Sequence, residues 1–205
     1  MSENQKKIWI TGASSGIGKA LAEKFALEGW KVAISARRKE ILEKMTSNEN
    51  IFSYPLDVTN QDQINSVLKN IISDFGNLDL CVFSSGTYDP KLEQEINIKQ
   101  NKFVMETNFF GVLYCIKSVE KYFKEKKDGH ISIVSSIAGY RGLPNSSGYG
   151  PSKAALTNFA ESIYFDFKKF NVRVSVVSPG FIKTPLTDKN DFDMPFLRSP
   201  EFAAE

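Results

Sequence analysis

The sequence predicts an α/β fold in which helices cover both faces of a doubly wound parallel sheet. Three observations carry this expectation. Short apolar runs, Ile8–Ile10 and Leu80–Phe83 among them, alternate with longer stretches of helical periodicity. The first run is apolar on consecutive residues, which suits a strand buried on both faces. The runs end in small-residue turns, Gly12-Ala13-Ser14-Ser15, Ser84-Ser85-Gly86 and Pro179-Gly180, at the strand ends where open α/β sheets take their ligands. The chain has 205 residues, 41% of them hydrophobic, with no low-complexity stretch to divide it. It reads as one domain over residues 1–205 with a full core.

The first strand, Lys7-Ile8-Trp9-Ile10-Thr11, feeds straight into Gly12-Ala13-Ser14-Ser15-Gly16-Ile17-Gly18 and a helix running to about Glu28. Glycines let the backbone turn tightly and approach a ligand, and a helix start offers free N–H groups to a pyrophosphate. A phosphate-binding P-loop is excluded, because Gly18-Lys19 is followed by Ala20 and Ala13 stands where its first glycine belongs. The spacing Gly-x-x-x-Gly-x-Gly also differs from the generic dinucleotide fingerprint Gly-x-Gly-x-x-Gly. The second strand, about Lys31 to Ser35, ends in Ala36-Arg37-Arg38. An acid about 20 residues past the glycines would hold the ribose 2′-hydroxyl of NAD, whereas arginine accommodates the 2′-phosphate of NADP. With two arginines there and no acid, NADP(H) is preferred and NAD(H) is the alternative.

A third strand, about Ile51 to Leu56, ends at Asp57-Val58, and Thr59 with Asp62 resembles a capping box for a helix reaching about Phe75. The fourth strand, Leu80 to Phe83, runs into Ser84-Ser85-Gly86. A long helical stretch from about Asn97 to Lys126 follows, with Phe103, Phe110 and Leu113 expected on its inner side. Asn108 interrupts that apolar surface, and a buried asparagine demands partners.

Ile131 to Val134 forms the next strand and leads to Ser135-Ser136. After a loop, a helix opens with Tyr149 and Lys153 four residues apart, on one face. A tyrosine holds its proton to a pKa of about 10, so an adjacent ammonium would draw Tyr149 toward a value useful for proton transfer. Ser136 could aim its hydroxyl at the same point. This helix is expected to run to Phe170, with Leu156, Phe159, Ala160, Ile163, Phe167 and Phe170 in one apolar stripe and Phe165 on the outer face. The sixth strand, Val172 to Val177, ends in Pro179-Gly180 and then Phe181-Ile182-Lys183-Thr184-Pro185.

Composition narrows the function. A balance of 26 basic and 24 acidic residues gives a net charge of +2, which is no nucleic-acid footprint. Lys124-Glu125-Lys126-Lys127 is taken as a solvated helix end. His130 is the only histidine, so no histidine-based metal cluster can be assembled, and its place just before Ile131 suggests a surface residue. Cys81 and Cys115 sit in apolar stretches and read as core fillers in a reducing compartment. A polar N-terminus and the lack of a membrane-spanning run point to a soluble, cytoplasmic protein.

Taken in order, Thr11-Gly12-x-x-x-Gly16-x-Gly18, Asp57-Val58, Asn108, Ser136, Tyr149-x-x-x-Lys153 and Pro179-Gly180 with Thr184 resemble the short-chain dehydrogenase/reductases over nearly the whole chain. The resemblance implies a Rossmann-type fold and a catalytic set of Asn108, Ser136, Tyr149 and Lys153. Tyr149 would be proton donor or acceptor, Lys153 would lower its pKa and bind the nicotinamide ribose, and Ser136 would polarise the substrate carbonyl. Asn108 would hold the water of a proton relay, and Thr184 would touch the carboxamide. The cofactor set is Gly12, Ser14, Ser15, Gly16, Ile17, Gly18, Arg37, Arg38, Asp57, Val58, Gly86, Tyr149, Lys153, Pro179, Gly180, Ile182 and Thr184. Two departures stand out. Phe83-Ser84-Ser85-Gly86 replaces the usual Asn-Asn-Ala-Gly, so amide bonds bracing the sheet are replaced by hydroxyls or lost. The sequence also stops at Ala203-Ala204-Glu205, where the family continues through another helix and a seventh strand, which implies a sheet without its last strand and a shortened chain.

The expected function is hydride transfer between NADP(H) and a carbonyl or secondary alcohol. Two other readings share parts of the pattern, a catalytically silent cofactor-binding regulator and a nucleotide-sugar epimerase or dehydratase. Tyr88, Tyr140, Leu143 and the stretch from Phe181 to Leu197 are expected to line the substrate pocket. The resemblance also implies a homodimer or homotetramer, with Phe165 at the contact.

Overall fold

The computed structural model describes residues 5–205. Its strands are β1 (Lys7–Thr11), β2 (Lys31–Ser35), β3 (Ile51–Ser53), β4 (Leu80–Phe83), β5 (Gly129–Val134) and β6 (Val172–Val177). They form one parallel sheet in the order β3-β2-β1-β4-β5-β6. The chain therefore starts in the middle, winds one way to β3, and returns through β4 to wind the other way. That reversal, at β1 and β4, leaves a crevice at the carboxyl ends of the central strands. The helices are α1 (Gly16–Leu27), α2 (Lys39–Met45), α3 (Gln61–Phe75), α4 (Ile98–Met105), α5 (Gly111–Lys126), α6 (Tyr149–Lys168) and α7 (Pro200–Ala204).

Side-chain alternation divides the core between the two faces. Ile8, Ile10, Val32 and Ile34 pack with Ala22 and Ala26 of α1 and Leu42 and Met45 of α2. Trp9, Cys81, Phe83, Ile131 and Ile133 pack on the other face against α3, α5 and α6, through residues such as Ile71, Val119 and Leu156. Cys81 and Cys115 are free thiols in that second cluster. A buried polar thread crosses three strands: Trp9 Nε1 donates to Ser35 Oγ at 2.9 Å, and Ser35 Oγ donates to the Tyr54 carbonyl at 2.7 Å. Among the described residues, no helix is long and apolar enough to cross a membrane.

The doubly wound sheet is as the sequence predicts, and several local expectations are corrected. The long helical stretch is broken by a π-helical turn at Glu106–Phe110. This turn rotates the faces, so Val104, Thr107, Asn108 and Val112 are inside, while Phe103 and Phe110 are exposed and Leu113 is half-buried. The N-cap of α3 is Asn60, whose side chain accepts from Gln63 N; Thr59 instead bonds Asp57. The third strand ends at Ser53, and α2 was not anticipated. His130 belongs to β5 and is half-buried, with Nε2 2.8 Å from Ser175 Oγ. Phe170 lies beyond the end of α6 and is exposed, as is Phe165 on the outer face. Lys126 is no solvated end, since its ammonium donates to the Leu78 carbonyl at 2.8 Å and to Asp79 at 2.9 Å.

Candidate active site

The crevice is a cleft of about 390 Å³, within the range of small-molecule sites. One end is built from backbone. Gly12 takes φ 70°, and a Cβ there would lie 2.7 Å from the Ser84 carbonyl oxygen. A Cβ on Gly18 would lie 2.6 Å from the Gly12 carbonyl oxygen. Glycine is thus needed for the turn and for packing α1 against it. The start of α1 receives no side-chain cap from Ser15, so its first N–H groups face the cleft ready for an anion. Gly12, Ser14, Ser15, Gly16 and Ile17 line the wall. Gly18, expected at the wall, stands behind it as the packing contact.

Arg37 and Arg38 flank this end, but they differ. Arg38 Nη2 donates to Ser14 Oγ and Ser15 Oγ, both at 2.8 Å, and its Nε donates to Ser14 Oγ at 3.1 Å. Its guanidinium is held over the glycine turn. Arg37 has no side-chain hydrogen bond among the described residues. Asp57 and Val58 border the same region. The Asp57 carboxylate is committed to Thr59 N and Oγ1, at 3.0 and 2.8 Å.

The other end is built from side chains that four elements deliver. Ser136 follows β5 and caps a short turn by accepting from Ala138 N at 3.2 Å. Tyr149 opens α6 and lines the cleft together with Ser136. Lys153, one turn on, is buried; its Nζ donates to the Val134 carbonyl at 2.9 Å and lies 5.6 Å from the Tyr149 ring centre. Burial lowers the Lys153 pKa to about 8. Burial also raises Tyr149, the neighbouring Ser136 hydroxyl acts to lower it, and the Glu93 carboxylate adds to the rise. Lys153 is itself desolvated, with its ammonium on the Val134 carbonyl.

Asn108 is fully buried and absent from the cleft wall. Its Oδ1 accepts from Thr87 N at 2.7 Å, and its Nδ2 donates to the Thr87 carbonyl at 3.0 Å and Ser152 Oγ at 3.1 Å. The side chain ties the turn after β4 to α6, and its N–H groups have none to spare for a relay water. Gly86 reaches both regions: its Cβ would sit 3.7 Å from Asn108 Oδ1 and from Lys153 Nζ. Ser84 and Ser85 form no side-chain hydrogen bond among the described residues, so the amide bracing is lost rather than replaced.

Pro179, Gly180, Ile182 and Thr184 close the cleft, and Thr184 Cγ2 would be 2.8 Å from a Cβ on Gly16. Thr187 and Lys189, within the stretch from Phe181 to Leu197 expected at the pocket, also line it. Thr187 Oγ1 accepts from Thr184 N at 2.9 Å and donates to the Ile182 carbonyl at 2.7 Å. Tyr140 and Leu143 are exposed away from the wall, and Tyr88 is buried with its ring 4.9 Å from that of Tyr149. Among the described residues no three His, Cys, Asp or Glu side chains form a metal-binding group.

The residues present fit NADP(H). The glycine turn leaves room that a Cβ would fill, the helix start and Arg38 supply donors for phosphate, Thr184 lies against Gly16, and Lys153 stands at the opposite end.

Comparison with known proteins agrees. The family model described as short chain dehydrogenase matches residues 6–194. The chain is 34% identical over 201 residues to an uncharacterized oxidoreductase of Myxococcus xanthus, a match spanning 96% of this chain and 79% of that one. It is 30% identical over 190 residues to another from Staphylococcus epidermidis, spanning 92% of this chain and 83% of the other. Among solved structures, ElxO with NADP bound superposes with a TM-score of 0.88 at 29% identity, covering 98% of this chain and 88% of that chain.

Proposed function

The chain belongs to the short chain dehydrogenase family, and from that premise we propose that it is an NADP(H)-dependent oxidoreductase acting on a carbonyl or a secondary alcohol. The observation that carries this reading is the meeting of Ser136, Tyr149 and Lys153 at one end of a cleft whose other end offers free helix N–H groups and Arg38. The chemistry NADP(H) supplies when bound is hydride transfer. The chain supplies the rest. Ser136 and Tyr149 hydrogen-bond the reacting oxygen, and Tyr149 gives that oxygen a proton on reduction or accepts one on oxidation. Burial holds the phenol above its ordinary range, so Tyr149 carries its proton at neutral pH.

Arg38 is the specificity element in this reading. Two serines hold its planar fork, so little freedom is lost when it takes up a 2′-phosphate. Lys153, buried with a pKa of about 8, is mostly cationic at pH 7 and positioned to hold the ribose. The direct test is oxidation of NADPH and NADH against a panel of ketones and aldehydes. Turnover of a panel member with NADPH preferred supports the proposal. Tight NADPH binding with no carbonyl reduced would instead mark a cofactor-binding regulator.

A further inference from the structure

In the first turn of α6, which presents Tyr149, Ser146 Oγ accepts from Gly150 N at 3.0 Å, which leaves the N–H groups of Gly148 and Tyr149 to be satisfied. Gly148 occupies the N-cap with no side chain to accept from the orphan N–H groups, and the first turn contains no acid. The missing acceptor arrives from another element. Glu93, which closes the short turn Pro90–Leu92 after β4, is only 2% exposed. Its Oε2 accepts from Gly148 N at 2.8 Å and from Tyr149 N at 3.0 Å. Its Oε1 is buried with no hydrogen-bond partner among the described residues. A serine or aspartate at position 148 would cap this helix locally and keep its charge or dipole near water. A carboxylate buried from a distant turn, with one oxygen unsatisfied, is an expensive way to end a helix unless its charge serves what lies beside it.

What lies beside it is Tyr149. The segment carrying Glu93 grips the same helix start elsewhere: the Tyr88 ring rests 4.9 Å from the Tyr149 ring, and its hydroxyl donates to the Asn145 carbonyl at 3.0 Å. Lys189 in turn holds that segment, donating to the Tyr88 carbonyl at 2.9 Å with Asp89 3.3 Å away. From α4, Asn101 accepts from Ser147 Oγ at 3.1 Å.

We propose that Glu93 is a positioning residue for Tyr149, its carboxylate anchoring the first turn of α6 and setting its charge beside the phenol in the cleft. The inference rests on Tyr149 being the proton donor. The groups that face Tyr149 are Ser136 from the segment after β5, Tyr88 from the loop after β4, Lys153 on its own helix, and Glu93. Asp89, Asp191 and Lys189 lie one layer out, around Tyr88. Among the acids, Glu93 is the one that acts on Tyr149, in the direction that retains the proton. The carboxylate also completes the favourable pairing of negative charge with a helix N-terminus.

Two variants separate anchor from charge. Glu93→Gln keeps a carbonyl oxygen for the two N–H groups and removes the charge, whereas Glu93→Ala removes both. Nuclear magnetic resonance of ring-labelled tyrosine, with Tyr149→Phe assigning the signal, follows the phenol in the protein without cofactor. In Glu93→Gln the Tyr149 titration is expected to move down by at least about half a pH unit, and the alkaline limb of carbonyl reduction to move with it. Glu93→Ala is expected to lose turnover about tenfold to a hundredfold, the range that a misplacement of about 1 Å produces. Glu93→Gln should recover part of that loss. A Tyr149 titration unmoved in Glu93→Gln overturns the proposal, even if Glu93→Ala fails to fold. Retained turnover in Tyr149→Phe is a different failure: it would sink the proton-donor reading, whereas an inactive Tyr149→Phe with an unmoved titration sinks the role of Glu93 alone.

Discussion

The two ends of the cleft are made in different ways. At the Gly12–Gly18 end, fewer than ten consecutive residues build a surface from backbone conformation, and one side chain, Arg38, is laid across it. At the Tyr149 end, Ser136, Tyr149, Lys153, Asn108 and Glu93 come from the segment after β5, α6, the π-helical turn and the turn after β4, and hydrogen bonds between those segments fix them. The first end is rigid because the chain there has almost no alternative conformation. The second is rigid only while its buried polar network is complete. Changes at the first should therefore act on folding and binding, and changes at the second on protonation and rate.

The largest effect is expected where backbone meets backbone. Gly18→Ala places a Cβ 2.6 Å from the Gly12 carbonyl oxygen, and neither partner is a flexible side chain. The cost should be about 3 kcal/mol or more, read as a lower denaturant midpoint together with weaker NADPH binding. A Gly18→Ala protein as stable as the parent would mean that the turn is pliable and the contrast between the ends is wrong.

Next comes a pH-dependent effect at the second end. Lys153 titrates at about 8 in the fold and near 10.5 when unfolded, so between those values the unfolded chain binds the extra proton and stability rises with pH. Measured as the difference between the parent and Lys153→Met without cofactor, this rise should be on the order of 2–3 kcal/mol. A difference that stays flat across that window would show that Lys153 is not desolvated.

A smaller and more selective effect distinguishes the two arginines. Loss of the charge-assisted contact in Arg38→Ala should weaken NADPH about 10- to 150-fold and leave NADH nearly unchanged. Arg37, exposed and without a side-chain hydrogen bond among the described residues, should contribute less than about tenfold. Equal weakening of both cofactors in Arg38→Ala would make that side chain a brace for the serines rather than a phosphate contact.

This contrast also explains what the sequence makes legible. The first strand, the glycine turn and α1 follow from adjacent residues, and so do the strand ends carrying Ser136 and Pro179-Gly180. Tyr149 and Lys153 are legible because helical spacing alone puts them on one face. What is hidden depends on elements that meet only in the fold. The π-helical turn at Glu106–Phe110 leaves no mark in the apolar periodicity, so Phe103 and Phe110 read as inner when they are exposed. α2 has only seven residues, too few for the spacing of Ile41, Leu42 and Met45 to establish a period. The partners of Asn108 lie 21 and 44 residues away, and Glu93 reaches Gly148 across 55. The sequence shows that Asn108 needs partners, and only the fold shows that Thr87 and Ser152 already satisfy it.

The central claim, that one end of the cleft binds while the other reacts, is tested most directly by Tyr149→Phe. The substitution removes a single hydroxyl and keeps the ring that packs on Tyr88. NADPH affinity by fluorescence titration and turnover on a carbonyl from the panel are measured on the same preparation. The account expects affinity to stay within about threefold and turnover to fall by at least about a hundredfold, the contribution of a positioned general acid. Wild-type turnover would remove Tyr149 from the reaction, and a parallel collapse of NADPH binding would show that the two ends are not separable.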